Sequence, residues 1–134
     1  MGMDHAVVVA GVVVDGDRVL IAQRRRPVFV EGKWEFPGGK VEPGETETEA
    51  LARELMEELD IFCTVYERVP GEWDLSMGAV LHIYLAHIDA GAPTPGHDHM
   101  SVRWVTSDEF ATVDWLDSDR EALPAVVGAL RQTP

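Results

Sequence analysis

The chain has 134 residues, a formal net charge of −13 at pH 7 and a single cysteine. This length suits one domain, so we expect residues 1–134 to form a single folded unit. The acidic excess disfavours binding to nucleic acid or to anionic membrane surfaces, because both are recognised by clusters of Lys and Arg. A small acidic ligand bridged by metal ions remains compatible with the charge.

No segment is predicted to target the chain or to cross a membrane. The longest apolar run, residues 6–14, is much shorter than the roughly 20 residues that a membrane helix needs, and its valines predict a β-strand. The stretch MGMDH before it lacks the positive region of a signal peptide. Cys63 has no partner for an internal disulfide and is predicted to be a buried thiol, which favours a reducing compartment. We therefore expect a cytoplasmic protein.

The first part of the chain is predicted to form a β-hairpin followed by loops. Two β-rich runs, 5–14 and 18–25, flank Asp-Gly-Asp at 15–17, and Asp-Gly between such runs is a strong hairpin signal. Residues 27–33 are predicted to be a loop. The stretch WEFPGGKVEPGE at 34–45 has paired glycines and two prolines, which break regular structure.

A helix is predicted to begin at Thr46. Thr46 and Glu49 have the spacing of a capping box, in which each side chain bonds the backbone N–H of the other residue. Leu51, Leu55 and Leu59 recur every four residues, so they share one helix face. We expect that face to pack against the core.

The second half of the chain is predicted to be mainly strands, with two further helices. In the middle strand, Val80, His82 and Tyr84 alternate with Leu81, Ile83 and Leu85, which indicates that its two faces meet different environments. The predicted elements are strands at 62–69, 79–88 and 101–105, a helix beginning at Ser107, and a last helix from about Ser118 towards Leu130.

Three glutamates are predicted to share one face of the Thr46 helix. Glu54, Glu57 and Glu58 lie three and four residues apart or adjacent, and residues at such spacings converge on one side of a helix. Taken alone, the pattern is typical of an exposed acidic surface. The preceding Gly38 and Gly39 let bare backbone approach the helix, and oxygen ligands suit Mg²⁺. A hard-cation site is therefore the second interpretation.

The stretch from Gly39 to Ile61 resembles the signature box of the Nudix hydrolases. It reads Gly39, five residues, Glu45, seven residues and then RELMEELDI, so every charged position of that pattern is present. Asp60 departs from the pattern, because the family has Gly there, where a left-handed helix cap is expected. LIAQRR and WEFPGGK also resemble the MutT-like branch, which hydrolyses nucleoside triphosphates, and the chain is most similar to its (d)CTP pyrophosphohydrolases.

The resemblance implies a fold, a metal site and a reaction. The fold would be the α/β Nudix fold, a mixed β-sheet sandwiched between helices. Arg53 would orient the metal-binding carboxylates, with support from Glu45. Water would attack the β-phosphorus, giving a nucleoside monophosphate and pyrophosphate. Mg²⁺, for which Mn²⁺ can substitute, would be held by the carboxylates of Glu54, Glu57 and Glu58 and by the carbonyl of Gly39.

The general base is left open between two residues. Glu54 is one candidate, and Asp98 is the other because it lies six residues before Trp104, where relatives place an acidic residue. Asp98 is alternatively a metal ligand. We expect its neighbours His97 and His99 to lie in an exposed polar loop, since no second cluster of zinc-type ligands accompanies them.

Two charged residues are predicted to contact the nucleotide. Arg24 matches an arginine that contacts nucleotides in MutT-like proteins, with solvated surface as its alternative. Asp119 aligns with the residue that reads the base. An ionised Asp only accepts hydrogen bonds and suits the exocyclic amine of cytosine, whereas Asn suits oxidised guanine. The alternative for Asp119 is the first turn of a helix capped by Ser118 or Asp117.

Aromatic residues offer stacking surfaces for the base. Trp34, Phe36 and Trp115 either stack on it or belong to the core, and Phe36 is included in the predicted substrate site. The predicted partner is a free nucleoside triphosphate, namely CTP, dCTP or a 5-methyl form. Alternatives are clean-up of 8-oxo-dGTP and, from a different class, a catalytically silent nucleotide-sensing module. Oligomeric state is open between monomer and homodimer.

Overall fold

The structure, a computed structural model, describes residues 6–132. Residues 1–5, to which the prediction about targeting signals applies, lie outside the described residues, as does the first residue of the predicted strand 5–14. Within the described range, no helix has both the length and the apolar character needed to span a membrane.

The order of elements follows the predicted order closely. The hairpin is confirmed, with Asp15 paired to Arg18. The last helix is confirmed with slightly wider bounds. Three short 3-10 helices lie at Val28–Val30, Ser76–Gly78 and Ser107–Thr112. The strands and α-helices are β1 (Val7–Asp15), β2 (Arg18–Arg24), β3 (Trp34–Glu35), β4 (Gly38–Lys40), α1 (Glu47–Leu59), β5 (Phe62–Arg68), β6 (Trp73–Asp74), β7 (Val80–Ala90), β8 (His99–Thr106) and α2 (Asp117–Gln132).

The strands form one mixed sheet. Its path runs β3-β2-β1-β7-β5, with β4 paired to β1, β6 paired to β7 and β8 paired to β2. β1 and β7 are parallel, and the other named pairs are antiparallel. The parallel pair needs a long crossover, which the intervening chain with α1 provides.

The sheet carries a hydrophobic core on each face. Val9 and Val13 of β1 pack with α1, whereas Ala10 and Val12 pack with α2, as the two-residue period of a strand requires. The side chains of Leu51, Leu55 and Leu59 are fully buried, and burying each stabilises the fold by about 2 kcal/mol. The predicted mixed sheet sandwiched between helices is confirmed.

Both ends of α1 have the predicted caps. The Thr46 hydroxyl accepts a hydrogen bond from the Glu49 N–H at 3.2 Å, and the Glu49 carboxylate accepts one from the Thr46 N–H at 2.8 Å. At the other end, Asp60 adopts the left-handed conformation with φ 58° and ψ 40°. Asp60 therefore takes the left-handed conformation that was expected at this position, where glycine is usual.

Four local predictions needed correction. The stretch 34–45 is not wholly irregular, because Gly38–Lys40 pairs with β1 as the short strand β4. β8 is longer than predicted and starts at His99. The helix beginning at Ser107 is a 3-10 helix, capped by Thr106. Cys63 is half-buried, and this burial raises the pKa of its thiol to about 11, which agrees with an unreactive cysteine.

Candidate active site

Gly39 brings the backbone of β4 against the acidic face of α1. A Cβ atom on Gly39 would overlap the carboxylate of Glu54, so a side chain here would displace the end of the Glu54 side chain. Gly38 is more strictly constrained, because its Cβ would overlap the backbone of β1 at the carbonyl oxygen of Val9. The predicted close approach of bare backbone to the helix is therefore observed.

Arg53 connects the carboxylates next to this contact. Its Nε donates to Glu45 Oε2 at 2.7 Å and its Nη2 to Glu45 Oε1 at 3.0 Å, a two-bond pairing. Its Nη1 donates to Glu54 Oε1 at 3.0 Å and to Glu57 Oε2 at 3.1 Å. The contact with Glu45 lowers the pKa of that carboxyl and raises the pKa of Arg53. Glu45 and Arg53 therefore have the supporting contacts that were predicted.

The third glutamate, Glu58, lies beside His99. Its Oε2 lies 3.6 Å from Nδ1 of His99. Burial raises the pKa of both Glu54 and Glu58, and the charge of nearby Asp98 raises that of Glu58 further. We call Glu54, Glu57 and Glu58, together with Arg53, the carboxylate edge.

The carboxylate edge fits a divalent metal in its donor chemistry. It offers carboxylate oxygens and the Gly39 carbonyl, which are the ligands of hard cations such as Mg²⁺. Burial that disfavours ionised Glu54 and Glu58 would be offset by a bound cation. Across residues 6–132, however, no three His, Cys, Asp or Glu side chains are gathered closely enough to hold a metal ion. The ligand set Gly39, Glu54, Glu57 and Glu58 remains a prediction.

A cavity of about 390 Å³ lies beside β4, and Gly39 is part of its wall. We call it the β4 cavity. Its volume falls within the range typical of small-molecule sites. Four charged residues line it: Arg24, Glu35, Lys40 and Asp119. Because Gly39 also contacts Glu54, the cavity and the carboxylate edge adjoin each other.

Asp119 is a buried carboxyl group in the wall of this cavity. Only 4% of the residue is exposed, and its Oδ2 accepts a hydrogen bond from the N–H of Phe36 at 2.9 Å. Burial, together with the charge of Glu35, raises the pKa of Asp119 to about 8. The alternative caps Ser118 and Asp117 are wrong in detail, because both lie inside the first turn of α2. Asp119 is in that turn and also faces the cavity.

Arg24 is not a free surface residue, because it pairs with Glu35. Its Nη1 donates to Glu35 Oε2 at 3.1 Å, and its Nε and Nη2 donate to the carbonyl of Arg26. Both Arg24 and Glu35 line the β4 cavity. Glu35 was not predicted as a site residue, although its sequence carries a signal: it is a charged residue between two aromatic ones, shortly before the glycine turn.

The aromatic residues divide between core and cavity. Phe36 borders the cavity but is only 2% exposed, and it packs against Trp115 and Phe110 in an aromatic cluster. Trp34 instead lies beneath the guanidinium of Arg103. Phe29, which was not among the predicted stacking residues, lines the cavity and is 81% exposed. It offers a free ring face next to the cavity.

Three consecutive polar residues around the start of β8, His97, Asp98 and His99, have different environments. His97 is exposed, as expected. Asp98 is partly exposed, with its Oδ1 3.8 Å from Nε of Arg26, and it is not part of the cavity wall. The expectation for His99 is wrong, because only 1% of this residue is exposed and its Nε2 lies 2.8 Å from Glu35 Oε2. Its contact is therefore with a residue distant in the sequence.

The structure thus places a helix edge rich in carboxylates next to a cavity of small-molecule size, on a mixed sheet between two helices, which suits metal-assisted chemistry on a small phosphate-bearing molecule. The chain belongs to the Nudix family, because residues 4–126 match the NUDIX domain. It is a Nudix hydrolase. Members of this family generally use divalent metals and act on small nucleotide substrates.

Two relatives and one solved structure cover most of the chain. A Mycobacterium tuberculosis protein named "Putative 8-oxo-dGTP diphosphatase 2" is 46% identical over 88% of this chain and 85% of its own length. The CTP pyrophosphohydrolase of Escherichia coli is 38% identical over 92% of each chain. The solution structure of the E. coli ORF135 protein has a TM-score of 0.79 at 35% identity, covering 97% of this chain and 93% of that chain.

Proposed function

We propose that this protein is an Mg²⁺-dependent nucleoside triphosphate pyrophosphohydrolase acting on CTP, dCTP or 5-methyl-(d)CTP. Water would attack the β-phosphorus, and the products would be a nucleoside monophosphate and pyrophosphate. The observation that carries the proposal is Gly39, which forms part of the β4 cavity wall while its backbone lies against the Glu54 carboxylate. A nucleotide base in the cavity would direct its phosphates towards the carboxylate edge.

The carboxylate edge supports the phosphate chemistry. When bound, the metal would neutralise phosphate charge and lower the pKa of the attacking water. Arg53 holds Glu54 and Glu57 in place through one nitrogen, which suits a reaction that depends on positioning and charge stabilisation. We favour Glu54 over Asp98 as the general base, because Glu54 contacts the cavity wall at Gly39 and Asp98 faces Arg26.

Recognition of cytosine is assigned to Asp119. Its carboxyl lines the β4 cavity next to Glu35, and acceptor oxygens suit the exocyclic amine of cytosine. The E. coli relative named CTP pyrophosphohydrolase supports the same substrate class. Arg24 would contact the phosphates or the base edge, and Phe36 would border the base.

One observation favours a second substrate, 8-oxo-dGTP. With a pKa of about 8, Asp119 is mainly protonated at pH 7 in the free protein. A neutral carboxyl group both donates and accepts hydrogen bonds, as an Asn side chain does, and this pattern suits oxidised guanine. The M. tuberculosis relative carries the corresponding name. The two candidate substrates therefore differ in the form of Asp119 that they require: cytosine requires the ionised carboxylate, and oxidised guanine requires the neutral carboxyl group.

We further propose that residues 1–134 form one Nudix domain, as a monomer or homodimer. It would act on free nucleotides in the cytoplasm and would not bind nucleic acid. A silent nucleotide-sensing module is less well supported, because the three glutamates of the carboxylate edge and Arg53 are all present.

The test is pyrophosphate release with Mg²⁺, compared by kcat/KM across a panel. Comparing CTP with UTP tests recognition of the exocyclic amine of cytosine. Comparing 8-oxo-dGTP with dGTP tests recognition of the oxidised base. dCTP, 5-methyl-dCTP, ADP-ribose and a dinucleoside polyphosphate complete the panel. Preference for CTP over UTP supports the main proposal, and preference for 8-oxo-dGTP supports the second substrate. Binding without turnover of any compound would favour the sensing module.

A further inference from the structure

His99 is a buried histidine between two carboxylates from different elements. Its Nε2 lies 2.8 Å from Glu35 Oε2, and its Nδ1 lies 3.6 Å from Glu58 Oε2. Nδ1 is buried and has no hydrogen-bond partner within the described residues. Because buried polar atoms are nearly always paired, an orphaned ring nitrogen directed at Glu58 calls for an explanation.

The backbone on both sides fixes the position of this ring. In the β2–β8 pair, His99 is opposite Arg24, next to an irregularity in the register. The segment before His99 is joined to the end of α1, where the N–H of Thr94 donates to the carbonyl of Leu59 at 2.9 Å. Gly96 also lies against Glu58, because a Cβ there would come within 2.5 Å of the Glu58 carbonyl oxygen. The ring is therefore held between sheet and helix.

The two carboxylates that His99 faces belong to the two halves of the candidate site. Glu35 lines the β4 cavity, and its Oε2 is shared by His99 Nε2 and Arg24 Nη1. Glu58 belongs to the carboxylate edge. One rigid imidazole thus spans from a cavity residue to a predicted metal ligand.

We propose that His99 is a positioning residue that fixes Glu35, in the wall of the β4 cavity, relative to Glu58 of the carboxylate edge. Through Nε2 it would orient Glu35 for the nucleotide, and through Nδ1 it would orient Glu58 when a cation draws that carboxylate into place. This inference rests on the proposed function. Small displacements between a binding group and a reacting group reduce rates strongly, so a rigid spacer has a direct catalytic effect.

A second buried histidine provides the structural comparison. In His82, Nδ1 lies 2.7 Å from Glu47 and Nε2 lies 2.7 Å from Glu72, so both nitrogens are paired. Neither His82 nor those two glutamates lines the β4 cavity. His82 therefore serves as the control for losing a buried imidazole between carboxylates.

Two conservative variants separate the two contacts. The amide nitrogen of Gln reaches about as far as histidine Nε2, and that of Asn about as far as Nδ1. His99→Gln should keep the contact with Glu35 and lose the group facing Glu58, so we expect lower kcat with little change in KM, and about tenfold weaker Mn²⁺ binding without nucleotide. His99→Asn should do the opposite, with a raised KM for the nucleotide and unchanged Mn²⁺ affinity.

The measurements are kcat and KM for the best nucleotide of the panel, Mn²⁺ titration of the nucleotide-free protein by calorimetry, and Tm. His82→Gln should lower Tm but leave KM, kcat and Mn²⁺ affinity unchanged. If His99→Gln and His99→Asn give the same kinetic changes, or if His99→Gln binds Mn²⁺ as tightly as the parent protein, the proposal is overturned.

A complementary variant guards against poor folding of either His99 variant. Glu35→Gln should raise KM. Adding His99→Asn to it should raise KM no further, because both changes remove the same contact, the one between Glu35 and His99 Nε2. Fully independent effects would contradict the role of Nε2. If the parent protein hydrolyses no nucleotide in the panel, the proposed function fails, whereas Mn²⁺ titration of His99→Gln still decides whether His99 positions Glu58.

Discussion

The carboxylate edge and the β4 cavity meet at Gly39 but manage negative charge in opposite ways. At the edge, Arg53 is shared among Glu45, Glu54 and Glu57, so the carboxylates outnumber their cation. In the cavity, Glu35 has Arg24 and His99 beside it, and Asp119 is kept largely neutral by burial.

The difference bears on how an acidic protein can bind an acidic nucleotide. Uncompensated carboxylates attract cations, and bound cations in turn attract phosphates. The cavity has little net negative charge that would repel the phosphates of a nucleotide whose base enters it. The excess of negative charge is thus concentrated where it would recruit metal, and it is reduced where it would oppose binding.

The largest expected effect comes from the edge. Glu57→Gln keeps the side-chain shape but removes a charge from a predicted metal ligand, so turnover should fall by several orders of magnitude. Glu57 is exposed, and the fold should therefore remain intact. The measurement is kcat with Mg²⁺ together with Tm. Glu121→Gln, the same change on an exposed position of α2, should have no effect on kcat. Near-normal turnover of Glu57→Gln would contradict the metal assignment.

The two glycines at the junction should respond differently to the same added methyl group. In Gly38→Ala the Cβ meets the backbone of β1, which cannot move without disturbing the sheet, so we expect a loss of stability of about 1–3 kcal/mol. In Gly39→Ala it meets only the end of the flexible Glu54 side chain. That variant should stay folded and lose roughly 10- to 100-fold in activity as Glu54 is displaced. Urea unfolding and kcat/KM measure the two effects. Equal losses of stability would show that the Glu54 side chain cannot move aside, and unchanged kcat/KM in Gly39→Ala would show that the position of Glu54 does not matter.

A smaller effect is expected at the rim of the cavity. Phe29→Ala removes an exposed ring, and if that ring stacks on the base, KM should rise about tenfold with kcat little changed. The neighbouring Val28 is also exposed but does not line the cavity, so Val28→Ala is the matched control. Equal KM values for both variants would remove Phe29 from the substrate site.

The carboxylate edge and the β4 cavity also differ in how much of each could be predicted from the sequence. The capping box, the leucine period and the glutamates all lie in one continuous stretch, and local rules were enough to predict α1 and its acidic face. The cavity joins segments far apart in the chain, since the contact between Asp119 and Phe36 spans 83 positions. Nothing around His99 in the sequence indicated that Glu35, 64 positions earlier, would bury it. Its burial depends on the register of β2 and β8.

The protonation of Asp119 gives a pH prediction. Its pKa is about 8 in the folded protein and near 3.8 when unfolded, so the folded state binds more protons between these values. Stability from this group is fully present below about pH 4 and is lost as the pH rises through about 8. Asp119→Asn removes this dependence, so its stability relative to the parent protein should improve steadily from pH 4.5 to pH 8. Urea unfolding at several pH values measures it, and a constant difference would show that Asp119 is ionised when folded.

The smallest expected effect is at Asp60, where a change at the C-terminal end of α1 should alter stability but not activity. Asp60 has a left-handed backbone and a negative charge at the helix C-terminus, and both are unfavourable. Asp60→Gly should raise the free energy of unfolding by about 1 kcal/mol. Asp60→Ala removes the charge but keeps a Cβ in the left-handed region, so it should gain less than glycine. Unchanged kcat/KM in both variants would show that the departure from the family pattern concerns only the helix end. If alanine stabilised as much as glycine, the charge and not the backbone would be the cause.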